Sequence, residues 1–174
     1  MKKLTILVLL FLSINIWAET AADLGRLKGL GFKFPEQPMA SPSIIAYRDG
    51  RKVKLMEQNR VTILYFWSSL TPPSLSDLPL LERLKAKLKG KEILIAAVNL
   101  NEDYPEAYKI VQEMDLTLDI YYYPEPETLA PYILRSVPAA YILNKEGQLV
   151  ASIQGNAPWD HPDILRTLKE LSAE

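Results

Sequence analysis

A chain of 174 residues, 48% apolar and 24% charged with a net charge of -1, has the size and composition of one globular domain with a sizeable core. The near-neutral balance and the lack of a long basic run give no electrostatic basis for binding nucleic acid. With no cysteine, disulfides, cysteine nucleophiles, iron–sulfur ligation and thiolate zinc sites are excluded, and the scattered acids Asp115, Asp119, Glu125 and Glu127 lack partner histidines. Neither a metal nor another cofactor is expected.

Residues 1–18 read as a secretory signal peptide: Lys2 and Lys3, then an apolar run from Leu4 to Trp17, then Ala18. Cleavage is expected after Ala18 or, with Thr20 two positions before it, after Ala22. The run is shorter than the ~20 residues a spanning helix needs, which disfavours an uncleaved anchor. The mature protein is expected in the periplasm or secreted, with no stable membrane insertion. Residues 19–42 read as a leader packed loosely on the domain, with Leu24, Leu27 and Leu30 on one face of a short helix ended by Gly29 and Gly31. Pro35, Pro38 and Pro42 then keep the backbone extended.

The domain proper is expected over 43–174. Ile44 to Tyr47, Asp49-Gly50 and Val53 to Leu55 predict a β-hairpin, since Asp-Gly suits a turn with positive φ. The unbroken apolar run Val61 to Phe66 predicts a strand buried on both faces. Pro72 to Leu88 predicts a helix with a core stripe of Leu78, Leu81, Leu84 and Leu88, kinked by Pro79. Lys85, Lys87, Lys89 and Lys91 read as its solvated end. A second buried strand falls in Glu92 to Leu100, a helix over Tyr104 to Met114, a strand over Ile120 to Tyr123 and a short helix over Glu127 to Leu134. The adjoining Tyr121-Tyr122-Tyr123 reads as a strand edge and turn. Ala139 to Leu143, the turn Asn144 to Gly147 and Gln148 to Gln154 predict a hairpin, and Pro162 to Leu171 closes the chain as a helix capped by Asp160 or His161.

Between the first buried strand and the first helix stands Phe66-Trp67-Ser68-Ser69-Leu70-Thr71-Pro72-Pro73-Ser74. Asp77 and Pro79 follow it, and Val137-Pro138, Tyr141 to Gly147, and Gly155 with Trp159 come later in the same order. Asn99-Leu100-Asn101-Glu102-Asp103 follows the second strand. Over about 43 to 172 this resembles the TlpA/ResA-like branch of the thioredoxin-fold proteins, whose pattern is Phe-Trp-x-x-x-Cys-Pro-Pro-Cys, then an acid, then Pro. The resemblance implies an α/β, thioredoxin-like fold: a central mixed β-sheet flanked by helices, with an N-terminal β-hairpin. It implies a cis proline at Pro138 facing the helix that starts near Thr71. It also implies thiol–disulfide chemistry, for example in cytochrome c maturation, in which an acid at the place of Asp77 assists proton transfer. Thr71 and Ser74 stand where the two cysteines would be, and a hydroxyl cannot cycle through a disulfide.

Two readings of the hydroxyls follow. Either Thr71 or Ser74 is a nucleophile served by His161, the only histidine, or Thr71 and His161 are helix caps. Trp67, Leu70, Thr71, Pro72, Pro73, Ser74, Val137, Pro138 and Trp159 are expected around one shallow face, if the family arrangement holds. On that reading the face docks an extended peptide or an envelope protein, which needs no thiol. On the other, Trp67 and Trp159 are packing residues. The expected function is a non-catalytic peptide- or protein-binding or accessory module of the cell envelope. A thiol–disulfide oxidoreductase drawing on partner cysteines, or a structural subunit of an envelope complex, is the alternative.

Overall fold

The computed structural model describes residues 24–41, 44–56, 59–125, 129, 132 and 134–173. The signal peptide expected over 1–18 lies outside them. Eight strands are β1 (Met39–Ala40), β2 (Ile45–Arg48), β3 (Arg51–Lys54), β4 (Val61–Trp67), β5 (Ile93–Asn99), β6 (Asp119–Tyr122), β7 (Ala139–Leu143) and β8 (Gln148–Gln154). Three α-helices are α1 (Pro72–Lys87), α2 (Tyr104–Glu113) and α3 (Pro162–Leu171). The strands form one mixed sheet in the order β1-β8-β7-β4-β5-β6-β2-β3. This is the thioredoxin-like fold that the motif order implies.

β4 lies at the middle of the sheet and all its residues are buried. It runs parallel to β5 and antiparallel to β7. Because side chains alternate along a strand, it feeds two cores. Val61, Ile63, Tyr65 and Trp67 enter one, with Leu78, Leu81 and Leu84 of α1, Ala107 and Val111 of α2, and Ile164 and Leu168 of α3. Leu64 and Phe66 enter the other, with Ile44, Leu55, Tyr121, Leu129, Tyr132 and Tyr141. There Phe66, Tyr132 and Tyr141 form a ring cluster with centroids 4.9 to 5.9 Å apart. The short helix predicted over 127–134 falls largely outside the described residues.

The helices begin and end where their chemistry dictates. Pro72 and Pro73 open α1, where missing amides cost nothing because the first turn has no acceptor for them. α1 continues through Pro79, and Lys85 and Lys87 occupy its last turn. Asp103 caps α2 by accepting from the Glu106 amide. The Glu82 carboxylate accepts from the Thr117 amide at 2.7 Å and its hydroxyl at 2.6 Å, which braces α1 against the approach to β6.

The leader is more firmly held than its sequence suggests. A 3-10 helix over Gly25–Leu30 buries Leu27 completely, and Phe32 meets Trp159 edge-on at 6.0 Å. Lys33 bridges to Ser152, β1 pairs with β8, and Arg26 pairs with Glu170 at 2.7 Å. The loose packing expected of the leader is therefore corrected for residues 24–41. Leu27 and Phe32 complete the core between α3 and β8, which proline spacing alone does not reveal. Leu27→Ala is expected to destabilise the protein by about 3 kcal/mol, the usual cost of truncating a buried leucine. Urea unfolding checks this; a change near zero would show the leader to be dispensable.

Candidate functional site

The segment from Ser68 to Ser74 leaves the end of β4 and turns into α1. Thr71 is the residue before the helix, with extended backbone angles, yet its side chain caps nothing. Its Oγ1 bonds the Ser68 carbonyl at 2.9 Å and stands 2.9 Å from Ser74 Oγ. The Ser68 amide donates to Ser74 Oγ at 3.5 Å. These contacts close into a ring with one consistent direction. The Ser68 amide donates to Ser74, the Ser74 hydroxyl to Thr71, and the Thr71 hydroxyl to the Ser68 carbonyl. Each hydroxyl donates once and accepts once. The pair occupying the two cysteine positions of the family pattern is thus satisfied internally.

Among the described residues no base serves these hydroxyls. His161 caps α3, its Nδ1 accepting from the Asp163 amide at 3.2 Å, and it lies 3.7 Å from the Asp163 carboxylate. The pairing of His161 with Thr71 or Ser74 is not formed. The helix N-terminus offers no free donors either. Pro72 and Pro73 have none, and the Ser74 and Leu75 amides both bond the Thr71 carbonyl.

Asp77 lies behind the ring and is fully buried. Its Oδ1 accepts from Asn156 Nδ2 at 2.9 Å, and its Oδ2 from Trp159 Nε1 at 3.2 Å and the Ala157 amide at 3.4 Å. Burial pushes its carboxyl above the ordinary range, restrained by those hydrogen bonds. Asn156 Nδ2 also reaches the Pro73 carbonyl at 2.9 Å. Asp77 and the Pro73 carbonyl together therefore fasten the loop after β8 to the first two turns of α1. The neighbouring Tyr65 hydroxyl donates to the Ser74 carbonyl at 3.0 Å, and its pKa is raised by burial and by Asp77.

On the other side stands a carboxylate that the sequence reading placed in a motif without a role. Glu102 is buried and accepts from the Ser69 hydroxyl, from the Ser69 amide at 3.4 Å, from Asn99 Nδ2 and from Asn101 Nδ2 at 3.0 Å. The Asn99 side-chain oxygen in turn accepts from the Asn101 and Glu102 amides at 2.9 and 2.7 Å. Burial opposes ionisation of Glu102, but the donors from Ser69, Asn99 and Asn101 outweigh it and hold its carboxyl below the ordinary range. An asparagine closing an otherwise apolar strand, with a glutamate three residues on, was the signal available for this clamp. Asn156 had none.

The Val137–Pro138 peptide bond is cis. The register pairs Phe66 with Ala139, so Pro138 stands level with Trp67 at the end of β4 that carries the loop. The expected face is smaller than its sequence version. Trp67 and Trp159 are fully buried, Ser74 is fully buried, and Pro138 is buried too. Trp67 points into the core with the helices, Trp159 meets Tyr65 edge-on at 6.2 Å, and Ser74 is turned into the hydroxyl ring. What reaches solvent is Leu70, 72% exposed, with Pro72 and Pro73 exposed and Thr71 and Val137 half-buried. Among the described residues no group of three or more histidines and carboxylates could hold a metal ion.

Comparisons with known proteins agree with this geometry. The model of a thioredoxin-like family matches residues 59–149. The thiol-disulfide oxidoreductase ResA of Halalkalibacterium halodurans is 26% identical over 59% of this chain, which spans 58% of that protein's length. The sporulation thiol-disulfide oxidoreductase A of Bacillus subtilis is 22% identical over 99% of this chain and 98% of its own. A crystal structure assigned as a thiol:disulfide interchange protein DsbE from Chlorobium tepidum superposes with a TM-score of 0.69 at 21% identity, covering 78% of this chain and 97% of its own.

The two buried carboxylates predict opposite responses to pH. Glu102, with its folded pKa lowered, contributes stability that is complete above the unfolded value of ~4.3 and lost as pH falls through its folded pKa. Asp77, with its pKa raised, contributes most below ~3.9 and loses that contribution as pH rises through its folded pKa. Glu102→Gln sets an amide donor against the donors around it, and is expected to cost about 2 kcal/mol at neutral pH. The deficit should shrink below pH ~4 in urea titrations across pH; a deficit constant with pH would contradict the ionised clamp. From the match over residues 59–149, carried on a mixed thioredoxin-like sheet with a cis proline beside the loop, the chain belongs to the thioredoxin-like family.

Proposed function

We propose that this protein is an exported, ResA-like thioredoxin-fold protein that has exchanged thiol–disulfide chemistry for binding. It takes an extended peptide or a partner protein at the exposed tip formed by Leu70, Thr71, Pro72, Pro73 and Val137, as an accessory module of the cell envelope. One observation carries the reading: the loop is held at Ser69 by Glu102 and at Pro73 by Asn156, which Asp77 fixes in turn, while its hydroxyls are consumed by one another. On this reading the solvent-facing Leu70, with Pro72, Pro73 and Val137 beside it, supplies the apolar contact. Export is supported by the basic, then apolar, N-terminal sequence over residues 2–18. Residues 19–42 and 43–174 are the leader and domain of the mature chain on this reading. No described helix is long and apolar enough to cross a membrane.

Oxidoreductase activity would need both thiols from elsewhere, because this chain has no cysteine. The site supplies no nucleophile–base pair in their place. The test is binding of fluorescent, extended peptides drawn from envelope proteins to the wild type and to Leu70→Asp and Val137→Asp. Each variant should weaken binding roughly tenfold. Leu70→Asp should leave stability within about 0.5 kcal/mol because Leu70 faces solvent, while the loss at Val137→Asp, half-buried against the core, is read together with its unfolding free energy. Equal affinity in all three proteins, or no binding by the wild type, would refute the reading.

The ring makes a second prediction. Thr71→Cys with Ser74→Cys should oxidise to an intramolecular disulfide, because the hydroxyl oxygens already lie 2.9 Å apart. Thiol titration and mass measurement report it; persistent free thiols under mild oxidant would show that the loop no longer has the family geometry.

A further inference from the structure

We propose that the outer edge of β3 accepts an acidic, extended segment of a partner protein as an additional strand. Among the described residues β3 is the last strand on its side of the sheet. It lies four strands from β4, about 19 Å at the usual spacing, so this surface is separate from the loop after β4.

The hairpin register decides which backbone groups are free. Asp49 and Gly50 both have positive φ, 49° and 71°, as a two-residue turn of the tight hairpin type requires. The Leu55 amide bonds the Ile44 carbonyl at 2.9 Å. Bonded pairs recur every second residue in an antiparallel ladder, so Val53 with Ala46 and Arg51 with Arg48 are also bonded pairs. The amides and carbonyls of Lys52 and Lys54 therefore point away from β2, out of the sheet.

The side chains of the same two residues set the charge of the edge. Val53 packs with Ala46 on one core, so Lys52 and Lys54 stand on the opposite face, beside Tyr47 and Ile45, their register partners. Lys52 lies over the Tyr47 ring at 5.9 Å, and Ile45 is 54% exposed. Among the described residues no carboxylate pairs with Arg51, Lys52 or Lys54, whereas Arg48 is held by Asp119 at 3.1 Å. The edge thus presents two free donor–acceptor sets, each carried by an unpaired lysine, next to an aromatic ring and an aliphatic side chain.

That chemistry selects its occupant. A second copy of β3 would bring lysine against lysine and is disfavoured by like charge. A strand with carboxylates at alternate positions places them opposite Lys52 and Lys54 while its backbone completes the ladder. The opposite edge, β1, is a two-residue strand and offers no comparable length.

The test uses the full chain without its first eighteen residues and a short synthetic peptide of alternating glutamate and threonine. Expected are saturable binding and new hydrogen-exchange protection at the Lys52 and Lys54 amides. Lys52→Glu should weaken binding roughly tenfold or more through charge. Lys54→Gln removes the charge of that residue and keeps its outward amide, whereas Lys54→Pro removes both without touching the bonds to β2 and should weaken binding at least several-fold more than Lys54→Gln. Unfolding measurements on the variants confirm that the hairpin persists. Absence of binding overturns the proposal. So does equal weakening by Lys54→Pro and Lys54→Gln, which would mean adsorption by charge alone, or binding confined to anionic lipid vesicles with none to the peptide.

Discussion

The complete burial of β4 is the constraint on which the rest depends. A strand covered on both faces cannot slip by one residue without turning an entire set of apolar side chains into the wrong core. Its register with β5 and β7 is therefore fixed over its length. Fixing it also fixes where the chain emerges, and the loop after Trp67 comes out beside Pro138 because Phe66 is level with Ala139. The loop is then held from two directions by groups that arrive from distant parts of the chain. Glu102, from the turn after β5, holds Ser69, and Asn156, from the turn after β8 and bonded to Asp77, holds the Pro73 carbonyl.

Most of the element plan was legible in the sequence because each piece announces itself locally. Val61 to Phe66 is an unbroken apolar run, Asp49-Gly50 is a turn, and the leucine stripe of α1 recurs at helical spacing. The hairpin over Ala139 to Gln154 and the helix over Pro162 to Leu171 fall where they are read. What escaped is lateral. Whether Trp67 and Trp159 border a surface or lie beneath it depends on what α1 and the leader place over them, and no periodicity encodes that. The same applies to Leu27, whose burial depends on α3, and to Asn156, which is an ordinary loop residue until Asp77 is beside it.

Asp77 has a structural task of its own in this chain. A buried carboxylate without thiols to serve carries a desolvation cost that only hydrogen bonds offset. Here the donors are a tryptophan ring, a backbone amide and an asparagine, all from one loop. Its removal would orphan the Trp159 indole and the Ala157 amide in the core. Packing and donor satisfaction are a sufficient physical reason for an acid at this place. The Trp67 indole nitrogen, by contrast, is buried with no acceptor among the described residues, a local cost that the burial of its ring outweighs.

The hydroxyl ring at Thr71 and Ser74 has one more implication. Two thiols exist in an oxidised and a reduced form, and any surface built around them changes with its surroundings. Two hydroxyls have a single form. The shape of the loop closed by Thr71 and Ser74 is therefore indifferent to oxidants and reductants around it.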